Sequence, residues 1–130
     1  MEKRKKNSVK REAILDILRA THEHPSADAV YQRLKPDVPD LSLGTVYRNI
    51  NMFKNEGTVV SVGVVRGQER LDARTENHAH FICNRCGHVA DIEGLDEKTD
   101  LDSLARELVD GEVEGHRITV FGLCGACSKA

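Results

Sequence analysis

The stretch NHAHFICNRCGHVADIEG, residues 77–94, gathers two cysteines, three histidines and two carboxylates. Its Cys83-x-x-Cys86 is matched further on by Cys124-x-x-Cys127. A two-residue spacer lets both sulfurs of a pair face one ion, and four thiolates close a tetrahedron around zinc with Zn–S near ~2.3 Å. Each pair alone also fits a redox dithiol, but that motif opens a helix in a βαβ unit, and neither pair is expected to do so. The expectation is a structural zinc at Cys83, Cys86, Cys124 and Cys127. Such sites contribute roughly 10–16 kcal/mol in favourable peptides, which matches the whole net stability of a small domain.

The nitrogen and oxygen donors point to a second site. His78, His80 and Ile82 alternate with Ala79 and Phe81, a strand pattern that puts both histidines on one face, about 6.7 Å apart along the backbone. If the chain returns through the Cys83–Cys86 turn so that Ile82 pairs with Val89, His80 faces Asp91. Two imidazoles and a carboxylate then share one surface. At this point a metal site and an ordinary pair of packed histidines both remain open.

The elements around these residues read as α+β. Val9, Ala13, Ile14, Ile17 and Leu18 form a helical stripe with Ser8 as N-cap and an end near Thr21. Ala27, Val30, Tyr31 and Leu34 predict a second helix, and KPDVPD is a loop. Ser42 caps a third helix with inner stripe Leu43, Val46, Ile50 and Phe53, stopped by Gly57. TVVSVGVVRGQERLD predicts a hairpin turning at Arg66-Gly67-Gln68. Three helices and a hairpin are the order of a winged helix-turn-helix. Polar ARTEN, residues 73–77, is expected to be a hinge. Beyond it come the His/Cys hairpin, a helix with Leu101, Leu104, Ala105 and Leu108, and a last strand with Ile118 and Val120. The predicted domains are 1–72, a winged-helix DNA-binding domain, and 78–130, an α/β dimerisation and metal-binding domain.

Bulk properties narrow the class. At 130 residues with 4% aromatics and no Trp, either domain has a small core that calls for metal or a partner subunit. No apolar run approaches the roughly 20 residues that span a bilayer, and MEKRKKNSVKR lacks the apolar segment of a signal peptide. A cytoplasmic location is expected. Net charge is −2, yet residues 1–60 carry +3 and residues 61–130 carry −5. Six of the first eleven residues are basic, either a solvated tail or an arm that touches phosphate.

The segments HPSADAVY, LSLGTVYRNINMFKNEG, ERLD, NHAHFICNRCG, VADIEG and CGAC together resemble the ferric uptake regulator family of metal-dependent repressors. The likeness runs over residues 6–128. It implies a winged helix hinged to a dimerisation domain, with a regulatory metal that draws ligands from both. Those ligands fall on His24, Asp72, His78, His80 and Asp91. Three imidazoles and two carboxylates suit iron(II) or manganese(II). Aspartate at 72 and 91 looks like the peroxide-sensing (PerR) branch, in which bound iron(II) and hydrogen peroxide convert a ligating histidine to 2-oxo-histidine and the repressor leaves DNA. His24 and His78 are the implied oxidation sites. A further metal site of iron-sensing members is expected to be absent, because Asn77 and Ala79 occupy two of its positions although His116 matches a third.

On the third helix, Thr45, Arg48, Asn49 and Met52 lie opposite the predicted stripe, with Tyr47 at its flank. Arg can read guanine, Asn adenine, and Tyr or Thr carbon a thymine methyl. The resemblance assigns base contacts to Tyr47 and Arg48, and phosphate or minor-groove contacts to Arg66 and Arg70 on the wing. Many members carry a helix ahead of an R-x-T-x-Q-R signature. Here the signature reads Lys6, Ser8, Lys10, Arg11, and the basic stretch with Lys5, Lys6 and Arg11 is expected to stand in for that helix. The reading is a homodimeric, iron- or manganese-dependent repressor of a palindromic operator that senses peroxide. It is not an enzyme. An iron- or zinc-responsive repressor of the same family is the near alternative. A His/Asp metallohydrolase and a zinc-ribbon interaction module are the distant ones.

Overall fold

In the computed structural model, residues 2–95 and 100–130 are described, with side chains from Ser8 onward. Two units are present, Met1–Thr75 and Glu76–Ala130.

The first unit opens with α1 (Glu2–Ala20). The helix starts upstream of Ser8, which is therefore an interior residue and not the expected cap. Residues 2–6, Glu-Lys-Arg-Lys-Lys, are straight-chain helix formers, so nothing local stops the helix there. Lys5 and Lys6 fall on this stretch, and their side chains lie outside the described residues. Ile14 and Leu18 are buried, whereas Val9 is 63% exposed and does not belong to the inner stripe. In α2 (Ala27–Leu34) the Ser26 hydroxyl accepts the Ala29 N–H at 3.2 Å, and Ala27, Val30 and Leu34 face inward.

In α3 (Leu43–Glu56) the Ser42 hydroxyl accepts the Thr45 N–H at 3.1 Å. Leu43 was expected to face inward but is exposed; Leu41, just before the cap, is buried instead. Leu41 precedes the cap and Val46 follows it by four residues, and both belong to the same core, the arrangement of a hydrophobic staple. Gly57 ends the helix in the left-handed region at φ 78°, with its N–H directed to the Phe53 and Lys54 carbonyls. β1 (Val60–Val65) and β2 (Gln68–Asp72) pair antiparallel, with a register shift between Ser61 and Gly63. Arg66 and Gly67 join them at φ 53° and 77°, both positive as a two-residue primed turn requires. Leu71 carries the hairpin into the helical core.

In the second unit, β3 (Ala79–Cys83) lies between β4 (Val89–Ile92) and β5 (Thr119–Gly122). The β3–β4 register pairs Ile82 with Val89 and His80 with Asp91, as the sequence pattern required. β5 runs parallel to β3, and α4 (Leu101–Leu108) lies in the connection between β4 and β5. Ile118 precedes β5, and its carbonyl accepts the His80 N–H at 3.1 Å. α5 (Gly125–Ser128) is a single turn with Cys124 at its N-cap. The second cysteine pair thus does open a helical turn, against expectation. That turn follows β5, and among the described residues no strand comes after it to complete a βαβ unit. Among the described residues no helix is long and apolar enough to cross a membrane.

Candidate metal centres and nucleic-acid interface

The four cysteines converge through backbone bonds at the end of the three-stranded sheet. Cys83 closes β3, and its N–H and carbonyl bond to His88 O (2.8 Å) and Gly87 N (3.0 Å), which folds residues 83–88 into a tight turn. The Asn84 N–H reaches Gly122 O at 2.7 Å, joining the ends of β3 and β5. Arg85 donates to the Cys127 carbonyl at 3.1 Å. All four sulfurs lie within 4.8 Å of one another, with Cys86 and Cys124 3.8 Å apart. A tetrahedron with ~2.3 Å bonds has edges of about 3.8 Å, so the group fits zinc. Backbone N–H donors, those of Cys86 and then Cys124 foremost, hold the Cys83 thiol down at about 5, a thiolate at neutral pH. Hydrogen bonding with Cys124 foremost, then burial, pushes Cys127 up to about 12. One sulfur is ready to ligate, and another holds a proton that a metal must expel.

On β3 and β4 the donors are nitrogen and oxygen. Asp91 Oδ1 lies 2.9 Å from His78 Nε2 and 3.3 Å from His80 Nε2. The two rings are 4.4 Å apart between centroids, and both histidines are buried. His78 Nδ1 is 2.8 Å from the Glu76 carbonyl, which orients the ring and leaves Nε2 turned to Asp91. A proton or a cation held among these three atoms would relieve the carboxylate's charge.

In the first unit, His24 and Asp72 form a second, smaller group. His24 Nδ1 is 3.5 Å from Asp72 Oδ2, and both residues are buried. His24 has φ 54°, a conformation uncommon for a side chain with a Cβ. Arg70 holds this loop in place. Its Nε donates to the His24 carbonyl, and its terminal nitrogen donates to the Glu23 carbonyl at 2.7 Å. The next residue, Leu71, donates its N–H to Pro25 O at 3.1 Å. Burial lowers the Arg70 pKa and the Glu23 carboxylate opposes that shift. Arg70 is thus committed to the backbone of residues 23–24, which corrects the expectation that it reaches DNA from the wing.

Residues 2–121 match the sequence model of the Ferric uptake regulator family. This chain belongs to the ferric uptake regulator family. It is 38% identical over 117 residues to the peroxide-responsive repressor PerR of Staphylococcus aureus, covering 90% of this chain and 78% of that one. The Campylobacter jejuni peroxide stress regulator superposes with TM-score 0.81 at 29% identity, covering 97% of this chain and 94% of that one. The Helicobacter pylori ferric uptake regulator Fur superposes with TM-score 0.79 at 20% identity, covering 92% and 80%, and shows likeness of fold.

Three of the residues expected to read DNA make contacts within the first unit. Arg48 donates to Thr45 Oγ1 at 3.1 Å, and Asn49 Nδ2 donates to Thr45 O at 2.9 Å. Tyr47 OH lies 3.4 Å from Asp28. Tyr47 and Arg48 are exposed, and Arg11 and Arg66 also face solvent. Met52 instead packs against the helical core, so it leaves the predicted outer face. His22 and His88 are exposed, as expected. His116 pairs with Asp102 at 2.7 Å, and Asn77 Nδ2 donates to the His116 carbonyl at 2.9 Å, contacts the sequence reading missed. Neither the His116 pair nor the Arg70 brace has a local sequence signal, because each joins residues far apart along the chain.

Proposed function

We propose that this chain is the subunit of a homodimeric, metal-dependent transcriptional repressor of the peroxide-sensing kind. The observation that carries the reading is Asp91 set between His78 Nε2 and His80 Nε2 in a chain 38% identical to a peroxide-responsive repressor. His24 and Asp72 of the first unit and His78, His80 and Asp91 of the second together hold one iron(II) or manganese(II) ion. Two carboxylates balance the ion's charge, and five nitrogen and oxygen donors suit those metals. Cys83, Cys86, Cys124 and Cys127 hold a separate structural zinc.

Residues 1–72 act as the winged-helix domain, 73–77 as the hinge and 78–130 as the dimerisation domain. One ion shared by both domains favours a single domain arrangement, by the difference in its affinity for the alternatives. In a dimer that arrangement sets the spacing of two α3 helices on a palindromic operator. Thr45, Tyr47, Arg48 and Asn49 read bases, and Lys5, Lys6, Arg11 and Arg66 meet the backbone or minor groove. The exposed apolar residues Leu101, Leu104 and Leu108 of α4 and Phe121 of β5 support pairing with a second copy through that face. The setting is the cytoplasm, where the DNA is.

Bound iron(II) supplies the reducing chemistry by which hydrogen peroxide becomes an oxidant of histidine carbon. Likeness to the peroxide-sensing branch assigns that oxidation to His24 and His78, and an oxygen added to either ring would weaken a ligand and release the clamp. The test is to load iron(II), add peroxide in small excess, and follow duplex binding together with the masses of the peptides that contain His24 and His78. The expected result is one added oxygen on either histidine and loss of DNA binding. Unmodified peptides with DNA binding intact would leave an iron- or zinc-responsive repressor instead.

A further inference from the structure

We infer that Arg70 is a positioning residue for the regulatory metal: by gripping the carbonyls of Glu23 and His24 it presets the His24 imidazole for the ion. The inference rests on the proposed role of His24 as a ligand, and extends it to a residue that touches no metal.

The geometry is contained within the first unit. Along β2, Arg70 and Asp72 are two residues apart and share a face, while Leu71 between them enters the core. One strand face therefore delivers both a carboxylate and the group that holds its histidine partner. Residues 23–26, just before α2, have all four carbonyls engaged. Glu23 O and His24 O accept from the Arg70 guanidinium, Pro25 O accepts from the Leu71 N–H at 3.1 Å, and Ser26 O accepts from the Val30 N–H at 3.0 Å. Two of these four acceptors depend on one side chain. They flank the residue whose φ of 54° the chain would otherwise relax. Arg33 pairs with the Glu23 carboxylate and steadies the same loop from α2.

A planar guanidinium with donors in a fixed fork suits two successive carbonyls, and the single ammonium of lysine does not reproduce that grip. Without the fork, His24 is free to leave the left-handed region and swing Nδ1 away from Asp72. Outer contacts that orient metal-ligating histidines change metal affinity by about 10–100-fold when lost. The same fold-change is expected here.

The experiment uses the full-length, zinc-replete protein and manganese(II), with free metal followed by its electron paramagnetic resonance. Arg70→Met is expected to bind manganese about 10–100-fold more weakly than the wild type. Arg70→Lys should fall between them. With manganese raised to saturation, Arg70→Met should recover wild-type affinity for a duplex selected from a random pool by the loaded wild-type protein. In a double-mutant cycle, Arg70→Met should add little to the loss caused by His24→Ala, because the brace acts only through that ring. A merely structural role would give additive losses and would overturn the inference. Unchanged manganese affinity in Arg70→Met and Arg70→Lys, beside a clear loss in His24→Ala, would overturn the brace alone. Unchanged affinity in His24→Ala would overturn the ligand assignment and the brace with it. Weaker duplex binding at saturating manganese, with normal metal affinity, would return Arg70 to the DNA interface and also defeat the proposal.

Discussion

Removing zinc should unfold the second unit and spare the first. Among the described residues, the buried apolar side chains of the second unit are Ala79, Cys83 and Val89. Among the described residues of the first unit, one cluster alone holds eleven buried apolar side chains, including Ile14, Ile50, Phe53 and Leu71. A fully buried valine is worth about 1.5–3 kcal/mol and the smaller side chains less, so those three supply at most roughly 5 kcal/mol. A four-thiolate zinc supplies about 10–16 kcal/mol, well above that burial. Leu104, Leu108 and Phe121, at 56%, 86% and 71% exposure, add little within one chain. Chelation, or the variant Cys124→Ser, should therefore abolish amide protection across β3, β4 and β5 and dissociate the proposed dimer, while α2 and α3 stay protected. Hydrogen exchange read by mass spectrometry reports both units in one sample. A zinc-free chain whose β3 amides exchange as slowly as in the loaded protein would refute the reasoning.

Other consequences follow from single residues. The Cys83 thiol is held down at about 5 by backbone donors, so its thiolate stabilises the fold above the ordinary thiol range and that contribution is lost as pH falls through about 5. Protons compete with the metal for the thiolates, so acid titration should release zinc and β3 amide protection together, read with a chromogenic chelator and hydrogen exchange; zinc release with β3 protection retained would contradict it. Gly57→Ala places a Cβ at φ 78° and should cost about 1 kcal/mol in thermal or urea unfolding, with Gly57→Asn milder; an unchanged midpoint in both would show that the helix end relaxes freely. Arg48→Ala should weaken binding to the selected duplex by about 1–3 kcal/mol and relax sequence preference at one position, with little change on random duplex. Equal losses on both duplexes would mark Arg48 as a phosphate contact.

Much of this is legible in the sequence because the informative patterns are local. Alternation from His78 to Ile82 fixed a strand face, and a four-residue turn between the cysteines fixed the return, so the His80–Asp91 pairing followed from counting residues. Ser42 and Gly57 bounded α3 for similar reasons. The reading failed where tertiary packing decides. Leu43 and Leu41 are equally apolar, and only the staple geometry tells which one enters the core. Met52 fits either face of its helix and took the gap in the core. The start of α1 moved because Ser8 can cap a helix or sit inside one, and the charged residues before it favour continuing. Arg70 looked like a wing cation because charge is visible in a sequence, whereas the backbone carbonyls of Glu23 and His24 that capture it are not.

The most direct measurement is thermodynamic linkage between manganese(II) and DNA. Manganese affinity is titrated with and without the selected duplex, in the wild type and in His24→Ala, with the cysteine site filled by zinc. If one ion clamps both domains, the duplex tightens manganese binding by the same factor by which manganese tightens duplex binding. His24→Ala should abolish that coupling while still binding manganese weakly through His78, His80 and Asp91. Equal manganese affinity with and without duplex in the wild type, or full coupling in His24→Ala, would contradict the account.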